Sequence, residues 1–276
     1  MDNHTNSLSL MTFNIAHGRG LSFYQGFHSR RGIFKNLDRI AKIIRDHQPD
    51  IVALQEIDQS SHWNKHINLL DYLQSATEYP EAIHGVHNKR GGRKPLAYGN
   101  AFLSKHPTLN WKASSFGNKK IGEKGFLEAQ FAVEDNQIDI VNLHLDFRSR
   151  RSRISQVEQL LASLHKRSIE NPYHLPPIIC GDFNTSSGAT RDALHHLIQG
   201  KANNENYRYY PRSERTFPAH FPTRGLDFVL LADPFEAIST KVVRSFASDH
   251  LPVIAMIALP APKLATGKRE TQYKPS

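Results

Sequence analysis

Apolar and polar positions along the chain follow two periods. Residues 8–14, LSLMTFN, alternate with a period of two and are rich in strand formers, which predicts a strand ending at Asn14. Leu37, Ile40, Ala41 and Ile44 then recur at i, i+3, i+4 and i+7, one face of an amphipathic helix that stops at Gln48-Pro49. IVALQ (51–55) reads as a short buried strand delivering Glu56 at its end, and NLLDYLQSA as a second helix. A basic, glycine-rich loop at 87–95 precedes a strand in YGNAFLSK. FLEAQFAVE and QIDIVNLHL make a hairpin through a turn at Asp135-Asn136, and Ile154, Val157, Leu161 and Leu164 mark another helix. PPIIC is a buried strand running into GDFN, a helix covers 192–198, and LDFVLLA, TKVVRSF and LPVIAMIAL are the last strands.

Helices between strands, together with hairpins, imply mixed sheets, and two sheets packed face to face with helices outside would bury so many short apolar strands. The class is α+β, with one domain expected over 1–260 and a mobile basic tail over 261–276, which lacks apolar periodicity. No apolar run is long enough for a membrane-spanning helix, and the first residues have neither a basic n-region nor a signal-peptide core. Cys180 is the only cysteine, so no intrachain disulfide and no thiolate metal cluster can form. These features favour the cytoplasm, and the chain is read as a monomer.

A formal charge of +9 and a pI near 9.6 favour a polyanionic partner, either nucleic acid or an anionic phospholipid surface. Lys and Arg concentrate in HNKRGGRKP (87–95), NKKIGEKG (118–125) and FRSRRSR (147–153), all read as loops or helix starts whose side chains reach solvent.

Strand after strand ends in a carboxylate, an amide or an imidazole. TFN ends in Asn14, LQE in Glu56, NLH in His144 and GDFN in Asp182 and Asn184; LDF carries Asp227, and ASDH carries Asp249 and His250. Singly, each is accounted for by turn propensity, but turn propensity does not place one after so many apolar runs. Alternation would put Asp182 and Asn184 on one face of a strand, with Phe183 on the other. Oxygen-rich donors of this kind suit Mg²⁺ or Mn²⁺, and the lack of Cys and of paired His spacing argues against zinc. With the imidazoles added, the set has what phosphoester hydrolysis needs: charge neutralisation, a base for water and donors for the transition state.

The segments TFNI, DIVALQEID, YGNAFLSK, VNLHLD, ICGDFN, RGLDFVL and ASDHLPV, in this order from about Leu8 to Leu259, resemble the endonuclease/exonuclease/phosphatase superfamily, the DNase I-like hydrolases. The resemblance implies a four-layer αββα sandwich with the site at one mouth of the two sheets. It implies Glu56 as direct ligand of the divalent ion, with Asn14 and Asp249 completing its surroundings. Asp182 would position or deprotonate the attacking water, Asn184 would hold a phosphoryl oxygen, and His250, paired with Asp227, would contact the phosphate as a cation. His144 would be the second phosphate-contacting imidazole and could assist the leaving group. Asn100, Lys124 and Arg148 are candidate substrate contacts, Asn100 from a structural or supporting position. Lys124 stands in GEKG where family members often carry Arg, which keeps the charge but loses bidentate geometry.

Inositol-polyphosphate phosphatase patterns are absent, and His144 stands where abasic-site nucleases typically place Tyr. Nucleic acid is the favoured substrate of a Mg²⁺-dependent phosphodiesterase. The alternative is a phospholipid or sphingomyelin-type head group, because HLDFRSRRSRISQ resembles the His-x-Asp and Arg-x-x-Gln helix of bacterial sphingomyelinases. An inactive binding module is the least favoured reading, since the ion ligands and the catalytic Asp are present.

Overall fold

The structure is a computed structural model that describes residues 6–22, 26–117, 122–170, 175–185, 192–199 and 206–261. The expected mobile tail beyond residue 261 and the first four residues of the basic segment 118–125 lie outside the described residues. The strands are β1 (Ser7–Asn14), β2 (Ile51–Asp58), β3 (Glu81–Arg90), β4 (Leu96–Ser104), β5 (Thr108–Ser115), β6 (Gly125–Val133), β7 (Asn136–His144), β8 (Ile178–Asp182), β9 (Arg208–Tyr210), β10 (Asp227–Leu231), β11 (Glu236–Val242) and β12 (Val253–Ala258). The helices are α1 (Arg30–His47), α2 (Leu69–Thr77), α3 (Arg150–Glu170) and α4 (Ala193–Gln199). One six-stranded sheet has the order β11-β12-β1-β2-β4-β3 and the other β5-β6-β7-β8-β10-β9.

Each sheet is antiparallel except for one parallel pair at its centre, β1 with β2 and β7 with β8. A parallel pair needs a crossover, supplied by α1 in the first sheet and α3 in the second. Leu8, Leu10, Ile51, Ala53, Ile140, Ile178 and Cys180 pack in the core between the sheets. Met11, Phe13, Val52 and Leu54 face α1 and α2, while Val141, Leu143, Ile179 and Phe183 face α3 and α4. This is the two-sheet sandwich with helices outside that the strand pattern implied.

Along each central strand the inward positions change from apolar to polar towards one end. On β1 the inward series is Leu8, Leu10, Thr12, Asn14; on β7 it is Ile138, Ile140, Asn142, His144; on β8 it is Ile178, Cys180, Asp182. The first polar layer is a hydrogen-bond network that links the two sheets and leaves the buried Gln55 Oε1 without a partner among the described residues. Gln55 Nε2 donates to Thr12 Oγ1 at 3.0 Å and to Asn142 Oδ1 at 2.8 Å. Asn142 Nδ2 donates to the Leu54 and Ala101 carbonyls, both at 2.9 Å, which sit on the opposite sheet.

Four expectations about strands at sheet edges need correction, as do one turn and one helix face. Residues 87–90 belong to β3, so the basic loop is only 91–95; β5 and β9 lie where no strand was assigned; and the strand placed at TKVVRSF is β11, four residues earlier. Edge strands bury less and so lack apolar runs. The β6–β7 turn is Glu134–Asp135, since Val133 pairs with Asn136. On α3 the buried face runs through Arg153, Gln156, Val157, Leu160 and Leu164, leaving Ile154 and Leu161 only half-buried.

Asn142→Ala should lower unfolding stability by about 2–4 kcal/mol, because it strands the Leu54 and Ala101 carbonyls and Gln55 in a dry interior. Urea denaturation checks this; a loss below about 1 kcal/mol would show that the inter-sheet network is not a stabilising element.

Candidate active site

The two parallel pairs end together. Asn14 is in register with Gln55 and His144 with Asp182, so the carboxyl ends of four central strands converge on one mouth of the sandwich. Asp227, at the start of antiparallel β10, is in register with Asp182 and joins them. Gly181 makes the close approach of β7 and β8 there possible. Its φ is +137°, and a Cβ would lie 1.9 Å from the Leu143 carbonyl oxygen.

Glu56 reaches the mouth by a different device. Leu54 and Ile57 both face the helix-side core, so a regular strand could not turn the residue between Gln55 and Ile57 towards the site. A bulge at that point, with Glu56 at φ 53°, re-aims the carboxylate. Beyond Asp182 the chain also leaves the strand, which corrects the shared strand face expected for Asp182 and Asn184. Asn184 has φ 49°, its backbone N–H donates to Asp182 Oδ1 at 2.9 Å and its side-chain amide donates to the Leu145 carbonyl at 2.9 Å.

Asp182 is 1% exposed. Its Oδ2 accepts from Asn14 Nδ2 at 2.9 Å and lies 3.4 Å from His144 Nε2 and 3.7 Å from His250 Nε2. Burial pushes its pKa up to about 6, with the His250 charge pulling against this and Asp227 adding to it. His250 Nδ1 meets both oxygens of Asp227, at 2.9 and 3.1 Å. Burial opposes charge on His250, but Asp227 and Asp182 outweigh it and push the pKa up to about 10. His144 goes the other way: burial and the neighbouring Lys124 ammonium, 2.8 Å from Nε2, hold its pKa well below the ordinary value. The site therefore contains one charged and one neutral imidazole, each facing the same carboxylate.

Glu56 and Asp249 face the same cavity, which has a volume of about 330 Å³ and is also lined by Asn14, Lys124, Asp182 and Asn184. Glu56 stays ionised, its pKa well below the ordinary value: burial raises it, but Lys124 and His17 overcome that. Lys124 Nζ lies 3.2 Å from Glu56 Oε1 and Arg19 donates to Asp249 Oδ2 at 2.7 Å, so two side-chain cations supply the charge at these carboxylates. Such hard oxygen donors beside exchangeable cations fit a divalent ion of the Mg²⁺ type. Asp182, Asp227 and His250 also offer atoms within 4.8 Å of one another for a metal. Both Asp227 oxygens there are already engaged by His250.

Two sequence-derived candidates lie outside this cluster. Asn100 is buried behind it, donating to the Asn142 and Gly125 carbonyls at 2.9 and 3.4 Å. Arg148 is exposed on the rim, its guanidinium 5.0 Å from the ring of Phe147, which lines the cavity. Within FRSRRSR, Arg153 is buried against Asp192 and donates to the Asp146 carbonyl, while Gln156 accepts from Asp146 N–H at 2.8 Å. The Arg-x-x-Gln spacing on α3 thus ties down the loop behind His144, rather than presenting Arg153 to solvent. Residues unassigned from sequence include His17, Arg19, Asp58, Phe217 and Arg224. The signal for the first two was HGRG, a glycine-punctuated turn directly after the strand that ends in Asn14.

This fold is that of the DNase I-like phosphoesterases. The profile of the Endonuclease/Exonuclease/phosphatase family matches residues 11–250, and the chain belongs to that family. The family generally uses divalent metals. An endonuclease/exonuclease/phosphatase family protein from Bacteroides thetaiotaomicron superposes with a TM-score of 0.71 at 15% identity, covering 92% of this chain and 98% of its own. A mannosyl-6-phosphatase from Bacteroides thetaiotaomicron gives 0.68 at 14% identity, covering 91% of this chain and 100% of its own. The human Nocturnin catalytic domain with a bound sulfate anion gives 0.64 at 17%, covering 93% and 95%. Comparison with curated protein sequences gives no match.

Asp227→Asn should lower the pKa of His250 by removing its counter-charge and reduce kcat/KM roughly 100-fold or more, as for loss of a positioned acid. A pH–rate profile checks both: the alkaline limb should move to lower pH, and an unmoved limb would exclude the pairing as the source of the His250 charge.

Proposed function

We propose that this protein is a divalent-metal-dependent phosphodiesterase acting on nucleic acid. The observation that carries the reading is the contact set of Asp182, a carboxylate of raised pKa between a charged His250 and a neutral His144, beside the ionised Glu56. Asp182, oriented by Asn14, accepts the proton of the attacking water. His250, fixed by Asp227, donates to a phosphoryl oxygen, and the second hydrogen of the Asn184 amide does the same. His144 and the Lys124 ammonium that donates to it supply the proton for the leaving oxygen. Glu56 and Asp249, with Asn14 near them, would hold the Mg²⁺ or Mn²⁺, which neutralises phosphoryl charge when bound.

The polyanion preference is supported by charge at the mouth. The β3–β4 tip, with Arg90, Arg93 and Lys94, extends from the end of β4 that pairs with Ile57 and Asp58, while Arg148 stands on the rim at the start of α3. A phospholipid head group is the second reading, favoured by exposed Phe147 and Phe221 on loops bordering the cavity. No helix among the described residues is long and apolar enough to cross a membrane.

Plasmid DNA, single-stranded RNA and anionic phospholipid vesicles, each incubated with Mg²⁺ and either the parent protein or Asp182→Ala, separate these readings. Metal-dependent cleavage of nucleic acid that disappears in the variant is expected; lipid turnover alone would select the second reading, and an active variant would remove Asp182 as the base. With Asp182 needed as carboxylate and His250 as imidazolium, kcat/KM should rise through pH about 6 and fall near pH 10. A rate independent of pH between these limits and below them would contradict the assignment.

A further inference from the structure

The turn after β1 is held in an unusual conformation for a purpose the catalytic residues do not explain. Ala16, His17 and Gly18 have φ values of 49°, 54° and 71°, a left-handed run that side chains other than glycine rarely adopt. It is clamped from both sides: Ile15 N–H donates to the Gln55 carbonyl at 3.1 Å, and Asn36 of α1 donates to the Gly18 carbonyl at 3.2 Å and the Ala247 carbonyl at 2.8 Å. The result is to insert the His17 ring between Asp58 and Glu56.

Asp58 is fully buried and both its oxygens are taken, Oδ1 by Trp63 Nε1 at 3.0 Å and Oδ2 by His17 Nδ1 at 2.8 Å. Trp63 and Tyr98 meet the imidazole edge-on at centroid distances of 5.2 and 5.0 Å, which leaves the ring no room to turn. His17 Nε2 is thereby aimed at Glu56 Oε2, 3.5 Å away, while Glu56 Oε1 faces Lys124 at 3.2 Å. The two oxygens of Glu56 have different neighbours: one belongs to a wedged ring, the other to the end of a flexible side chain.

We propose that His17, oriented by Asp58, is a positioning residue for Glu56: it fixes Oε2 so that Oε1 presents to the divalent ion, and Lys124 is the cation that Oε1 exchanges for that ion. The inference rests on Glu56 being an ion ligand. The coupling is geometric: Trp63 and His17 hold Asp58, Asp58 holds the ring, and the ring faces Oε2.

The test is Mn²⁺ affinity of the full chain without substrate, read from the free-ion electron paramagnetic resonance signal, alongside melting temperature. His17→Ala should weaken Mn²⁺ binding about tenfold, and His17→Gln, which restores an N–H donor, should recover most of it. Where His17→Ala does not fold, the double variant His17→Leu with Asp58→Leu should show the same weakening. Parent-like or tighter binding in the variant that folds would overturn the inference, even if its melting temperature falls. Glu56→Gln is the control for the underlying reading. If the parent binds no Mn²⁺, or Glu56→Gln binds as the parent does, the ligand assignment itself falls; if only the His17 variants bind normally, the positioning role alone falls.

Discussion

A carboxylate with almost no exposed surface must be surrounded by donors, and Asp182 imposes that demand on everything around it. Asn14 supplies one hydrogen bond from the other sheet, the Asn184 backbone a second, and two imidazoles stand close by. Because Asn14 and Asp182 sit on different sheets, their contact also fixes how the two sheets meet at the mouth. The polar layer of Thr12, Gln55 and Asn142 below it does the same one step deeper. The interior is therefore graded, with apolar packing at one end, an inter-sheet amide network next, and ionised groups last.

Within that gradient, two residues of the mouth need an irregular backbone to reach it. Alternation along the parallel strands already points Asn14, His144 and Asp182 inward, Asp182 with the help of Gly181 at φ +137°. Glu56 and His17 lie off the alternation, and each is brought in through a left-handed residue, one in a bulge and one in a clamped turn. These unfavourable conformations persist because surrounding hydrogen bonds over-determine them. The groups they place, a carboxylate and an imidazole, face each other 3.5 Å apart beside the cavity that Glu56 lines.

The central strands and the residues at their ends were legible from sequence because burial on both faces forces apolar runs, and a polar residue closing such a run stands out. Asn14, Glu56, His144, Asp182, Asp227, Asp249 and His250 all carried this signal, and the structure brings them together at one mouth. The edges were not legible: β3, β5 and β9 went unassigned and β11 was displaced, since a half-exposed strand needs no apolar run. Nor was the part played by Arg153, which looked like a solvent-facing charge in FRSRRSR and is a buried tie to Asp192. His17 was missed because a left-handed turn has no periodicity to read, and only the contact with Asp58, 41 residues on, gives it meaning.

Two imidazoles around one carboxylate with opposite charge states are the condition that the proposed roles of Asp182 as base and His250 as cation require. The most direct measurement is ¹⁵N chemical shifts of His144 and His250 at pH 7.5, assigned with His144→Gln and His250→Gln samples. The expected spectrum has His250 as imidazolium and His144 as a neutral ring. A neutral His250 at that pH, or a charged His144, would contradict the arrangement from which the chemistry is built.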